Sequence, residues 1–214
     1  DIPSIPKNWY LVKVIYSCIS PGTESMLRSF ASDNLAIKAK KRPDLVKKVL
    51  KKFQQEGFQN TLSLVQSKLG RPIPLGYSSV GEIIQAEIGA EFKVGDLVAC
   101  AGAGISNHAE FIAVPPRLCA KVPSTCDLTL ASAATLASIS LQGFREGEMK
   151  IGETALILGG GALGAILADI CKASFIDVSL FEPNLERANM ISTHHPACFS
   201  DVEDLRSHIF KSTN

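Results

Sequence analysis

Residues 9 to 19, Trp-Tyr-Leu-Val-Lys-Val-Ile-Tyr-Ser-Cys-Ile, are rich in aromatic and β-branched side chains and read as a strand. Ser20-Pro-Gly-Thr-Glu24 breaks it, and Ser and Thr there can cap a helix starting near Ser25. From residue 31 to about 70 the apolar positions recur every three or four. Leu45, Val46, Val49, Leu50 and Phe53 lie among eight lysines and arginines, which predicts a helical insertion with a solvated basic face. Strands are expected again over 74 to 84, 92 to 100 and 108 to 114; short strands with glycine turns between them argue a compact β-rich domain or barrel. Residues 127 to 144 are rich in Ala, Ser and Leu and read as one or two helices.

The pattern then changes again. Four apolar residues, Ala155 to Leu158, run into Gly159-Gly160-Gly161, and Leu163, Ile166, Leu167 and Ile170 follow at helical spacing. A short apolar run bounded by glycines predicts a strand buried on both faces, as in a parallel sheet. Gly159, Gly161 and Gly164 match G-x-G-x-x-G: a tight turn, close backbone approach to a pyrophosphate, and close helix packing. The helix start at Gly160, Ala162 and Leu163 would offer free amides to phosphate. A second strand, Val178-Ser-Leu-Phe-Glu182, ends in an acid 23 residues after Gly159. The acid that grips the adenosine ribose lies roughly 20 residues on. Glu182 therefore favours NAD over NADP, and Arg187 five residues later softens that preference. Pro183 predicts a second helix start, with Leu185, Ala188 and Ile191 facing the sheet. A third strand is expected over 196 to 199, then a helix capped by Asp201 with Val202, Leu205 and Ile209 inward.

Composition narrows the classes. The 214 residues are 46% hydrophobic and 20% charged with net charge +1, so no global field favours nucleic acid or an acidic membrane surface. No apolar run approaches the ~20 residues that span a bilayer. The six cysteines never fall as C-x-x-C, which favours reduced thiols in a cytoplasmic protein, Cys100 and Cys171 buried.

Five pieces resemble the medium-chain dehydrogenase/reductase superfamily in order and spacing. They are Ile19-Ser-Pro-Gly-Thr-Glu24, Leu75-Gly-Tyr-Ser-Ser-Val-Gly81, Val94-Gly-Asp-Leu-Val98, His108-Ala-Glu110 and the glycine turn. The 20 to 24 turn, the Lys-rich insertion and Pro74-Leu-Gly-Tyr77 are similar to the dehydrogenase half of bi-domain oxidoreductases, which carry a Gfo/Idh/MocA-type domain and often serve polysaccharide biosynthesis. The resemblance implies an α/β (α+β) chain: a GroES-like domain over 1–124 with a helical insertion at about 31–70, then linker helices and a partial, three-strand doubly wound Rossmann domain over 125–214. It implies hydride transfer with NAD, or NADP, on a carbonyl or alcohol, with a sugar-linked small-molecule substrate and a homo-oligomer or a fused or partner oxidoreductase domain. Zinc-dependent members place a Cys where this chain has Pro21 and a His-Glu pair where it has Tyr77-Ser78, so no zinc is expected. The remaining His/Cys grouping is His108 with Cys100 and Cys119, against which a strand-end role for His108 is preferred. Thr23, at the proton-relay position, and Tyr77 are the catalytic candidates, with Glu24 orienting either. A full doubly wound domain has about six strands. Three are expected here, so the alternative function is a truncated, catalytically inactive nucleotide-binding or interaction module.

Overall fold

The computed structural model describes residues 2–25 and 74–212. The expected helical insertion at about 31–70 lies outside these residues. Five antiparallel strands form the first sheet: β1 (Tyr10–Ser17), β2 (Ser78–Gln85), β3 (Leu97–Ala101), β4 (Phe111–Val114) and β5 (Cys119–Lys121), in the order β4-β1-β2-β3-β5. Tyr10, Val12, Ile83, Val98, Cys100, Ile112 and Val114 make its main core on one face. On the other face Val80, Ala99 and Val122 pack with Ala131.

Two expected strands are shorter than their apolar texture. Lys93 to Asp96 is a turn closed by the Asp96 carboxylate, which accepts from the Lys93 amide at 2.9 Å, so β3 starts at Leu97. Phe92 still enters the core, from that loop, and its amide donates to the Tyr10 hydroxyl at 3.3 Å. β4 starts at Phe111 because the His108 amide is taken by the Leu75 carbonyl.

Helices α1 (Leu128–Ala131) and α2 (Ala134–Glu146) follow, α1 capped by the Asp127 carboxylate, which accepts from the Thr129 amide. Ser78, fully buried in β2, donates to the Ser132 carbonyl at 2.6 Å and accepts from the Thr135 amide, tying the first sheet to the α1–α2 joint. α2 packs on β2 and β3 and also against α3 (Ala162–Ala173), where Ser140 donates to the Leu163 carbonyl at 2.9 Å.

A second sheet is parallel: β6 (Thr154–Leu158), β7 (Asp177–Phe181) and β8 (Cys198–Phe199), in that order. α4 (Leu185–Ser192) and α5 (Val202–Ser212) complete the βα succession. The expectation that β6 is buried on both faces fails. Only Ile157 is buried, on the face that packs against α3; Leu156 and Leu158, two residues apart on the opposite face, are 45% and 73% exposed. The α3 face is also rotated from the one expected. Ala168 and Cys171 are its buried residues, with Leu167 against Ile157 and Leu180, while Leu163 is exposed. In α4, Ala188 and Ile191 face inward as expected, but Leu185 is exposed, and the cap is Asn184, whose side chain accepts from the Arg187 amide. Pro183 therefore lies just before the helix. Asp201 caps α5 through the Glu203 and Asp204 amides; Leu205 is buried and Val202 is not.

Candidate functional site: a glycine turn gripped by a buried carboxylate

The turn between β6 and α3 is shaped by what its glycines lack. Gly159 has φ +104°, a left-handed conformation that L side chains rarely adopt. A Cβ on Gly164 would overlap the Gly159 carbonyl oxygen, so only glycine lets the first turn of α3 settle against the strand end. A Cβ on Gly160 would meet Ile191 and, at 3.0 Å, the Glu182 side chain. Gly161 is different: a Cβ there would meet nothing within 4 Å. Its backbone faces open space at the N-terminus of α3, and no side chain caps that helix. The amides of Gly161, Ala162 and Leu163 precede the first hydrogen-bonded turn, which closes with Ala165 donating to the Gly161 carbonyl.

Glu182 follows β7 and is 3% exposed. Its Oε2 accepts from the Gly160 amide at 2.9 Å, and its Oε1 from the Asn184 amide at 2.9 Å. Arg187 Nη1 donates to Oε2 at 3.1 Å, while the Arg187 side chain stays half exposed. The Asn184 amide, the Gly160 amide and the Arg187 guanidinium hold the carboxyl below the usual carboxylate range against the opposing effect of burial. Glu182 is therefore an ionised group fixed to the turn. The Gly160 amide is committed to it and is not offered to a phosphate, contrary to the expectation that every amide of this turn is free.

A second cluster lies on the first sheet. Residues 21–25 form a helical turn that begins earlier than Ser25. Glu24 reaches back to the Ser20 amide at 3.2 Å, and Ser20 Oγ donates to Thr23 Oγ1 at 3.3 Å. His108 joins this turn to the sheet: its Nε2 lies 2.9 Å from Glu24 Oε1 and its Nδ1 lies 2.9 Å from Ser17 Oγ. The His108 hydrogen bond, aided by the Ser20 amide, lowers the Glu24 pKa below its ordinary value. Gly76, with φ +93°, brings the chain so close to the His108 backbone and ring that a Cβ could not be accommodated. Tyr77 is half-buried one residue later, and its carbonyl accepts from the Gly102 amide and the Thr135 hydroxyl. Thus Thr23, Glu24 and His108 come together, and Glu24 holds His108 and the helical turn rather than a catalytic hydroxyl. Sequence reasoning missed Ser17 and the pairing across 84 residues from Glu24 to His108, for which no local signal exists. Asn184 was also missed, although an Asn just before Leu-Glu-Arg is a readable cap. Ser78, beside Tyr77, is committed to the Ser132 carbonyl. Among the described residues, no group of three His, Cys, Asp or Glu side chains is placed to share a metal ion.

Comparison with solved structures identifies the architecture. Escherichia coli quinone oxidoreductase, solved with NADPH, superposes with TM-score 0.65 at 16% identity, over 90% of this chain and 50% of that one. The fold is that of the medium-chain dehydrogenases and reductases. Galactitol-1-phosphate dehydrogenase from Escherichia coli superposes with TM-score 0.66 at 15% identity, over 95% of this chain and 57% of that one. In sequence, 2-dehydro-3-deoxy-L-galactonate 5-dehydrogenase of Pseudoalteromonas atlantica is 34% identical over 74 residues, 35% of this chain and 22% of that protein. No protein-family model matches the chain. The chain thus spans about half the length of these solved structures and less of the curated relative. No helix among the described residues is long and apolar enough to cross a membrane.

Proposed function

We propose that this chain carries the adenosine-and-pyrophosphate half of the site of a nicotinamide-dependent oxidoreductase that interconverts a carbonyl and an alcohol without catalytic zinc. The observation that carries the reading is the open backbone at Gly161 beside an ionised, buried Glu182. The Gly161, Ala162 and Leu163 amides and the positive end of α3 suit a pyrophosphate. A carboxylate has about four lone-pair positions. Three of those on Glu182 are occupied, which leaves one for a ribose hydroxyl. The same negative charge disfavours a 2′-phosphate, so NAD is preferred, with Arg187 as the group that would admit NADP. When bound, the nicotinamide supplies the hydride acceptor or donor. The chain's own residues supply the proton: Thr23 and Tyr77 carry the hydroxyls, and the Ser17–His108–Glu24 array holds the turn that presents Thr23.

Titration of the protein with NADH and NADPH tests the cofactor reading. NADH is expected to bind more tightly, and Glu182→Ala to narrow the gap. Equal affinity in the unaltered protein would overturn the preference, and binding of neither would overturn the site. The array is tested by hydrogen exchange at the Ser20 amide. Protection is expected to fall in His108→Ala. It is also expected to fall on acidification, because the folded pKa of Glu24 is depressed and its carboxylate persists until pH drops below that value. Unchanged protection in both experiments would remove His108 from that role.

The resemblance in the 20 to 24 turn and at residues 74–77 supports a sugar-linked substrate and a Gfo/Idh/MocA-type domain acting with this chain in the cytoplasm. A second reading is a catalytically inactive nucleotide-binding or interaction module, for which the exposed Leu156 and Leu158 on one face of β6 offer an apolar surface. Nucleotide binding with no single-turnover hydride transfer would decide for it.

A further inference from the structure

Cys100 and Cys119 stand directly opposite each other on antiparallel β3 and β5. The Val122 amide donates to the Leu97 carbonyl, so 97 and 122 are a hydrogen-bonded pair. Alternation along the ladder makes 99 and 120 the next such pair, and 100 and 119 a non-hydrogen-bonded one. The other side of β3 agrees. Gly102 donates to the Tyr77 carbonyl, which by the same alternation places Cys100 and Ser79 in a hydrogen-bonded pair and turns the Cys100 backbone groups toward β2. In a non-hydrogen-bonded pair the Cα atoms are about 4.5 Å apart, within the usual range for a disulfide. Both side chains lie on the same face, against the cluster built on Tyr10, Val12 and Ile83. The facing Cys119 thiol and burial push the Cys100 thiol above its ordinary range.

The two sulfurs differ in access. Cys100 is 2% exposed and Cys119 is half-buried. Cys126 is exposed, so a reaction governed by access alone would fall there.

We propose that Cys100 and Cys119 form a reversible cross-strand disulfide when the protein meets a hydroperoxide. The Cys119 sulfur attacks the peroxide; the O–O bond breaks, and the departing oxygen leaves as an alcohol or water carrying the thiol proton. Cys119 is then a sulfenic acid. The Cys100 sulfur attacks it, the S–O bond breaks, and water leaves with the Cys100 proton. Two thiols are oxidised to one disulfide and the hydroperoxide is reduced by two electrons. The link would fasten the sheet edge at β5 to β3, beside the buried Ser106 hydroxyl that donates to the Cys100 carbonyl at 3.0 Å. Leu118, next to Cys119, already packs over Gly102 at the exit of β3, so the bond joins segments held together before oxidation.

The test uses the whole chain treated with hydrogen peroxide, denatured in an alkylating reagent and mapped without reduction. The expected result is an intact mass lower by two hydrogens, a single linked peptide joining Cys100 to Cys119, and restoration by dithiothreitol. The link should persist in Cys126→Ser and be absent in Cys119→Ser. In Cys100→Ser a sulfenic-acid trap should label Cys119, a label the unaltered protein should not retain. Alkylation of both Cys100 and Cys119 after oxidation, or a link from either to another cysteine, would overturn the proposal. The map of the unaltered protein decides it even if a serine variant fails to fold.

Discussion

Gly164→Ala is expected to loosen the second sheet and weaken nucleotide binding together. The added methyl would occupy the space of the Gly159 carbonyl oxygen, which is backbone and cannot swing aside as a side chain could. Relief requires α3 to lift from the end of β6. Overpacking of this kind costs about 1–3 kcal/mol. In a chain of 214 residues, a loss near the upper end lowers the melting temperature by roughly 5–10 °C. The amides at the start of α3 move with the helix, and losing one charge-assisted hydrogen bond to a phosphate weakens binding about tenfold. Thermal melting followed by NADH titration checks both effects. Gly161→Ala is the contrast: its Cβ meets nothing within 4 Å, so stability should hold while any ligand seated against that backbone is pushed away. An unchanged melting temperature for Gly164→Ala would refute the packing argument, and unchanged affinity in both variants would refute the site.

Glu182→Ala is expected to cost a similar amount of stability for a different reason. It strips the acceptor from the Gly160 and Asn184 amides next to a carboxylate site that is 3% exposed. Unpaired buried donors and a lost charge-assisted bond together amount to about 2–4 kcal/mol. Glu182→Gln separates charge from shape, and acid does the same in the unaltered protein. The folded pKa of Glu182 lies below its unfolded value. Its stabilising contribution is therefore complete above that unfolded value and is lost as pH falls toward and through the folded pKa. Chemical denaturation from neutral pH to about pH 3 should show the unaltered protein losing more stability than Glu182→Gln. Parallel pH dependences would mean that the carboxylate contributes little to holding the turn.

How far the sequence could be read varies with the range of the forces involved. The glycine turn was legible because each requirement is local: a positive φ at Gly159, a helix start at Gly161 and a close packing at Gly164 lie within six residues. The cap at Asp201 was legible for the same reason, since a short side chain meets amides two or three residues on; Asp127 caps α1 in the same way and was not read. The strand starting at Leu97 was misjudged because apolar texture cannot tell a strand from a buried loop; Phe92 is in the core without being in the ladder. The two-sided burial expected of β6 also failed, because burial depends on what covers each face of a sheet, and the face that carries Leu156 and Leu158 is open. Leu185 and Val202 were assigned inward on helical spacing, yet each is the first residue of its helix, where the sheet no longer covers it, and both are exposed.

By itself the sequence determined the succession of elements, the two kinds of sheet and the place of the glycine turn, since propensity, period and glycine geometry act between near neighbours. Tertiary structure alone decided which groups meet. It set His108 between Glu24 and Ser17, committed the Gly160 amide to Glu182, buried Ser78 against Ser132, and set Cys100 opposite Cys119. These contacts depend on strand register and helix docking, which are set by packing over the whole core, and one step of register would have turned each of the strand side chains to the other face.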